Sequence, residues 1–251
     1  MGFGDDLIVS SIVKKAYQKH HKKVCIGDSK VVWEEVFDHN PKISREPYKG
    51  CIWVPNIMGN RPYIDREKSK PGKIAFNPDY RVEPGEIFFD PSELRHDQKD
   101  FIYIEPNTKG TFSGNKDWGF EKWQQVVQRI PDGKWVQGKG RRLEGVEQVD
   151  TTSFRDACGL LCRASLFVGT DGGLHHASAS LGIPAVVVWG GLAPPKVLGY
   201  ENHTNLHSGT YACGSSESCE HCKKALEWVS VEMVVKAIEE AIHRIPVTKN
   251  T

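Results

Sequence analysis

The stretch LFVGTDGGLHHASASLGIPAVVVWGG, Leu166 to Gly191, decides the fold. Leu166–Val168 is an apolar run with strand character. It ends in the turn Thr170-Asp171-Gly172-Gly173, and a helix over Leu174 to Leu181 follows at once. Ala185–Trp189 is a second apolar run, and it ends in Gly190-Gly191. Strand, tight turn, helix and strand in this order predict a parallel βαβ unit. The first N–H groups of the predicted helix have no partner within it, and the helix dipole makes that end an anion site. Gly172 and Gly173 carry no Cβ, so a phosphate can approach the backbone closely. Asp171 is expected to cap the helix, with its carboxylate turned back onto backbone N–H groups. His175 and His176 fall in the first turn. Ligands of open α/β sheets bind at this carboxyl edge. An ordinary capped turn would also account for the glycines. The dinucleotide fingerprint GxGxxG and the P-loop are both absent.

The same alternation extends outward. Phe101–Glu105 and Lys134–Gln137 read as strands, and Phe120 to Ile130 reads as a helix with Trp123, Val126 and Val127 on one face. Ser153 to Arg163 reads as a helix capped by Ser153, with Asp156 completing a variant of the capping box. Ser230 to Ile245 is a strongly periodic last helix. The N-terminal part differs. Leu7 to Lys19 has a helical period with cations at its end. Lys23–Ile26 and Val31–Val32 suit short strands. From Asp38 to Asp100 eight prolines exclude long helices and leave short extended pieces such as Cys51–Val54 and Ile87–Phe89. The expected division is 1–99 and 100–251.

Three further features resemble a known family when taken with Asp171-x-Gly173-x-x-His176. These are Gly4-Asp5 before an apolar helix, Pro106-Asn107-Thr108 after a strand, and Lys116-x-Trp118 ahead of the helix bearing Trp123. Together they resemble glycosyltransferase family 9, the ADP-heptose:lipopolysaccharide heptosyltransferases and their relatives. The usual Asp-Thr-Gly of that family has Gly172 in place of Thr. The resemblance implies an α/β fold of two Rossmann-like domains in the GT-B arrangement, the N-terminal one reduced. It implies an inverting, metal-independent transfer from a nucleotide diphosphate sugar, an ADP-sugar or another, to a hydroxyl of a glycan or other acceptor. No cofactor is then required. Asp5 is implied as catalytic base, with Asp6 as the alternative because the doublet leaves the register open. Thr108, Lys116, Asp171, Gly172, Gly173 and His176 are implied around the donor diphosphate. Lys109 is a substitute for Lys116, and His175 for His176. Trp118 either covers the donor or packs. The family has a strand before its Gly-Asp loop. Only Met1-Gly2-Phe3 precede it here, so that strand is either lost or missed by the assigned start.

Composition bounds the alternatives. The chain has 251 residues, with 33 Lys+Arg against 32 Asp+Glu, so no global positive field draws nucleic acid. No apolar run approaches the roughly 18–20 residues of a membrane span, and the N-terminus lacks a signal-peptide pattern. The expected compartment is the cytoplasm. Asp6 stands where a myristoylation motif wants Ser or Thr. Seven cysteines argue against a secreted disulfide framework. Cys213, Cys219 and Cys222 have the spacing C-x5-C-x2-C. With a fourth ligand they could hold zinc or iron, but without a paired CxxC they read first as free cysteines of a loop. The basic run Lys139-Gly140-Arg141-Arg142 suits a solvated loop or a reach toward a phosphate. Two other functions stay in view: a degenerate nucleotide-sugar-binding protein, and a metal-binding interaction domain built on the Cys loop.

Overall fold

The computed structural model describes residues 2–57, 61–108 and 114–245. Helix α1 spans Phe3–His20, with Asp5 and Asp6 in its first turn and Lys19 and His20 in its last, matching its dipole. It starts four residues before the apolar period does, so Gly4 and Asp5 are helical rather than part of a preceding loop. Two short strands, β1 (Val24–Ile26) and β2 (Ile52–Val54), pair in parallel. Val31 makes only a bridge to Gly27.

The remainder is one doubly wound layer. Its elements are β3 (Ile102–Glu105), α2 (Phe120–Arg129), β4 (Trp135–Gln137), β5 (Glu147–Gln148), α3 (Phe154–Leu161), β6 (Leu166–Thr170), α4 (Gly173–Ser180), β7 (Ala185–Val188), α5 (Pro195–Leu198), β8 (His203–Leu206), α6 (Glu220–Trp228) and α7 (Val231–Arg244). The six strands β3 to β8 are all parallel, in the order β5-β4-β3-β6-β7-β8. The chain runs outward from β3 to β5, then returns to β6 and runs the other way. The strand order therefore reverses between β3 and β6, where Glu105 stands opposite Gly169. A crevice opens at that point in every sheet of this kind.

Alternation along the strands sorts the core. Tyr103, Phe167 and Val187 pack with Leu7, Ile8 and Ala177 on one face. Ile102, Ile104, Val168, Val186 and Val188 pack with Trp123, Val126, Val234 and Ile238 on the other. Each such side chain contributes about 1.5–3 kcal/mol by leaving water. Helix α1 joins this body to the small sheet. Leu7 and Ile8 enter the main core, while Val9 and Val13 close a separate cluster with Val24, Ile26 and Phe37.

The proline-rich region is organised by side chains instead of ladders. Arg155 reaches from α3 to Glu93 with Nε at 2.5 Å, to the Glu35 carbonyl at 3.1 Å, and to the Phe88 carbonyl. The stretch 87–89 is held by this guanidinium and forms no strand, a departure from the sequence expectation. Ser153 caps α3 as expected, accepting the Asp156 N–H at 3.1 Å. Asp156 does not close a capping box: it takes the Thr152 N–H and faces Arg95 and His96. Strands β5 and β8 and helices α5 and α6 were not anticipated.

Candidate active site

The crevice at the strand reversal is a cavity of about 430 Å³. β3 supplies Glu105 and, beyond its end, Asn107 and Thr108. β6 supplies Thr170 and the turn Asp171-Gly172-Gly173. Lys116, Lys139 and Phe154 complete the wall. The first turn of α1 closes the top, with Phe3 stacked on Phe154 at 4.3 Å between ring centroids.

Asp171 does not cap α4. Gly172 is the cap position, and no side chain caps that end. The Asp171 carboxylate instead meets the Lys116 ammonium at 2.7 Å, and His175 Nδ1 lies 3.8 Å from its other oxygen. An ammonium beside a buried carboxylate outcompetes neutral amides. Burial pushes the Asp171 carboxyl up, but Lys116 and His175 outweigh it and hold the group well below the usual carboxylate range. The pair thus presents a lysine to the cavity and leaves the α4 amides to a ligand.

His176 donates or accepts at 2.8 Å from the Tyr200 hydroxyl through Nδ1. His175 is fully buried beside Trp189, Tyr200 and His203. Burial lowers His175 to about 4, His176 to about 3 and His203 to about 4. Glu105 goes the other way. Burial raises it to about 7 against the Asn107 N–H, which it accepts at 2.9 Å. Asp171, His175 and His176 have ligand atoms within 4.8 Å of one another. Lys116 sits on one oxygen of that carboxylate at 2.7 Å.

These shifts set a pH dependence. The three histidines are neutral in the fold but protonate in the unfolded chain below their ordinary 6.5. The unfolded state therefore binds more protons between about pH 6.5 and 4, and stability falls as pH falls through that window. Glu105 opposes this, since it takes up its proton in the fold first, between about 7 and its ordinary 4.5. With three groups against one, the melting temperature is expected to drop from pH 6.5 to pH 4.5. A flat or rising scan over that range would contradict the assignment.

On the other side of the α1 turn lies a second cavity of about 360 Å³, lined by Asp5, Arg61, Tyr63, Arg66, Lys70 and Lys73. Asp5 accepts from the Tyr63 hydroxyl at 2.6 Å, and Arg61 Nε stands 3.7 Å away. Burial, with the Asp5 charge second, pushes the Tyr63 phenol far up, so it stays a donor. Asp6 faces inward: it is buried, takes the Asn56 amide at 3.0 Å, and has its carboxyl pushed up by burial. Asp6 borders neither cavity, whereas Asp5 lines the smaller one. Gly4 is the contact point between the halves. A Cβ there would lie 2.7 Å from His176 Cδ2. Gly4→Ala is expected to displace the α1 turn and lower the melting temperature by several degrees, with weakened ligand binding. A melting temperature equal to wild type would show that the turn is not docked this way.

Thr108, Lys116, Asp171, Gly172 and Gly173 are thus brought to one cavity, and Asp5 to its neighbour. Lys109 lies outside the described residues. Trp118 packs against Trp123 at 4.5 Å and donates to the Val229 carbonyl at 2.9 Å, and it does not line the cavity that holds Lys116. Lys139 lines the cavity, whereas Arg141 stacks on Phe120. Sequence reasoning missed Glu105, although it ends a recognised strand. It also missed Arg61 and Tyr63, which belong to no periodic segment.

A doubly wound sheet that holds a lysine and a bare helix N-terminus at its strand reversal is an arrangement that suits an anionic ligand in open α/β folds. Residues 140–227 match the model of glycosyltransferase family 9 (heptosyltransferase), the family that the motifs resemble. No curated protein matches the chain. Among solved structures, the chain is similar to the iron-containing dodecameric glycosyltransferase TibC from enterotoxigenic E. coli H10407, at 14% identity and TM-score 0.67 over 98% of this chain and 75% of that one. It is similar to the family 9 glycosyl transferase from Veillonella parvula DSM 2008 at 14% identity and TM-score 0.63, over 97% and 95%. These two share the fold over nearly all of this chain. E. coli heptosyltransferase WaaC with ADP-2-deoxy-2-fluoro heptose matches at 21% identity and TM-score 0.44, over 60% of this chain and 46% of that one. The chain thus spans about half the length of that enzyme. No described helix is long and apolar enough to cross a membrane.

Proposed function

We propose that this protein is a glycosyltransferase that moves a sugar from a nucleoside diphosphate sugar to an acceptor hydroxyl, in the cytoplasm and with inversion at the anomeric carbon. The observation that carries this is the first turn of α1, which places Asp5 on one side and the Lys116–Asp171 pair with the α4 N-terminus on the other. Asp5 takes the proton of the acceptor hydroxyl as its oxygen attacks the anomeric carbon. The bond from that carbon to the diphosphate oxygen breaks, and the electron pair leaves with the nucleoside diphosphate. Lys116 and the α4 amides meet the charge that grows there. Lys139 stands on the same wall. This fixed positive charge supplies what a metal would otherwise supply at the reacting atoms. The donor diphosphate lies in the larger cavity, with Thr108 and the Gly172–Gly173 backbone against it. The acceptor lies in the smaller one, whose Arg61, Arg66, Lys70 and Lys73 favour an anionic glycan.

The TibC structure in complex with ADP-D-beta-D-heptose makes ADP-heptose the first donor to try. The test is a melting-temperature panel with ADP, GDP, UDP, CMP and inorganic phosphate, because a ligand of the native state alone raises the melting temperature by mass action. One nucleoside diphosphate is expected to stabilise the protein well beyond phosphate. No shift with any of them at millimolar concentration would remove the reading.

A further inference from the structure

Glu105 is a carboxyl in a cavity that otherwise suits an anion. It ends β3 at the strand reversal and lines the same space as Lys116, Lys139 and the Gly172–Gly173 turn. Its place there is constructed. Gly169 stands opposite it in β6. A Cβ on Gly169 would lie 2.8 Å from the Phe167 ring and 3.4 Å from Glu105 Cβ, so the glycine keeps the space beside the carboxyl open. The Asn107 N–H donates to Glu105 Oε1 at 2.9 Å. Asn107 is clamped in turn by the loop after β4. Its Oδ1 accepts the Arg141 N–H at 3.0 Å, and its Nδ2 donates to the Arg141 carbonyl at 3.4 Å. A Cβ on Gly140 would lie 2.4 Å from that Nδ2.

No cation offsets this carboxyl. Lys116 is held by Asp171 at 2.7 Å, and Glu105 makes no ion pair among the described residues. The groups that face it from each neighbouring element are these. The β6 turn brings Asp171, which stays ionised beside Lys116. α4 brings His175 and His176, which burial keeps neutral. β3 itself brings Tyr103 on the same face, and burial keeps that phenol protonated. The loop after β4 brings Lys139, while the α1 turn and α3 bring Gly2, Phe3, Gly4 and Phe154, with no side-chain charge. Among the described residues of this cavity, Glu105 is therefore the group that changes charge near pH 7.

The confinement makes that charge count. A sphere of 430 Å³ is about 9 Å across, and two unit charges that far apart at an effective dielectric of about 20 alter each other's binding roughly 20-fold. A diphosphate in the cavity favours the protonated carboxyl, and by linkage the protonated carboxyl favours the diphosphate. A nucleoside diphosphate ends in a phosphate that ionises a second time near neutral pH. In a nucleotide sugar that oxygen is esterified, so the spent nucleotide meets an ionised Glu105 with more charge than the donor does.

We propose that Glu105 sets the charge selectivity of the donor cavity: as a neutral acid it admits the nucleotide sugar, and as a carboxylate it weakens the hold on the nucleotide, most of all on the nucleoside diphosphate left after transfer. This rests on the donor reading above. It makes Glu105 a specificity residue and gives nucleotide binding a linked proton uptake.

The test measures ADP-heptose and ADP binding from pH 6.0 to 8.5 on wild type and Glu105→Gln. ADP-heptose has no group of its own that titrates in this range. Wild-type affinity for it is expected to fall about tenfold across the range, and that of Glu105→Gln to stay level and to exceed wild type at pH 8.5. The preference for ADP-heptose over ADP is expected to rise with pH more steeply in wild type. Calorimetry of ADP-heptose binding at pH 7.5, in two buffers of different ionisation heat, is expected to show proton uptake in wild type and none in Glu105→Gln. Equal pH profiles in the two proteins, or uptake that survives the substitution, overturn the proposal. Carbon-13 NMR of the free protein is an independent check, since a Glu105 carboxyl that titrates at the ordinary 4.5 also overturns it. If ADP-heptose binds neither protein at any pH, the donor reading fails. Sulfate, which does not titrate here, then judges the carboxyl: a melting shift that weakens with pH in wild type but not in Glu105→Gln keeps the anion linkage, and equal shifts end it.

Discussion

Lys116→Ala is expected to lower turnover about 100- to 1,000-fold and to remove most of the melting shift given by the nucleoside diphosphate. Two effects act together. The developing charge on the leaving diphosphate loses a preorganised cation, a loss of about 2.7–4 kcal/mol where single donors have been removed from such sites. The Asp171 carboxylate also loses the partner 2.7 Å away that keeps it ionised despite burial. An orphaned buried charge repels phosphate and destabilises the fold, by up to about 3–5 kcal/mol for a fully buried pair. With a quarter of the Lys116 side chain exposed, the cost here falls toward the lower end. The double variant Lys116→Met, Asp171→Asn separates the two effects. It removes both charges, so the melting temperature is expected to recover while nucleotide binding and turnover do not. Recovery of nucleotide binding in the double variant would mean that Lys116 serves only Asp171 and never meets the ligand.

Asp5→Asn is expected to cut turnover about 100- to 10,000-fold while leaving the nucleoside diphosphate shift intact. The range is that of removing a positioned general base. Binding is expected to survive because Asp5 borders the smaller cavity and not the one that holds the lysine. The amide can still accept from Tyr63, so the α1 turn is retained. Tyr63→Phe offers a graded comparison: it leaves the carboxylate but removes a donor at 2.6 Å, and a smaller turnover loss is expected. Equal turnover in Asp5→Asn and wild type would move the proton transfer elsewhere. Glu105 would then be examined first, since burial holds it near 7 in the donor cavity.

How much of this was legible follows from where each residue sits in the chain. The turn Thr170–Gly173 is local: strand, glycines and helix adjoin in sequence, so the anion site could be read without coordinates. Lys116 could be placed near it only through a resemblance, because its loop has no period. The fate of Asp171 was misread for the same reason. A local reading offers backbone amides as its partners, and the ammonium that wins comes from 55 positions away. Asp5 and Asp6 look alike as neighbours in a helix start. They differ because successive helix positions point about 100° apart, one toward a cavity and one into Asn56.

The doubly wound layer is written in the chain's local pattern, since apolar strands with alternating faces and amphipathic helices between them can bury their surfaces in few other ways. The same pattern delivers glycines from β6 to a helix N-terminus. Tertiary structure alone decided what those elements face. Packing α1 across α4 put Asp5 beside Arg61 and Tyr63, from a segment with no pattern to read. The switch in strand order put Glu105 and Thr108 opposite Asp171. The clasp of Asn115 on the loop of Cys213, Cys219 and Cys222 drew three thiols from a loop and a helix start to one point. Periodicity records which side of an element is apolar; it carries no record of which distant side chain will meet the polar side.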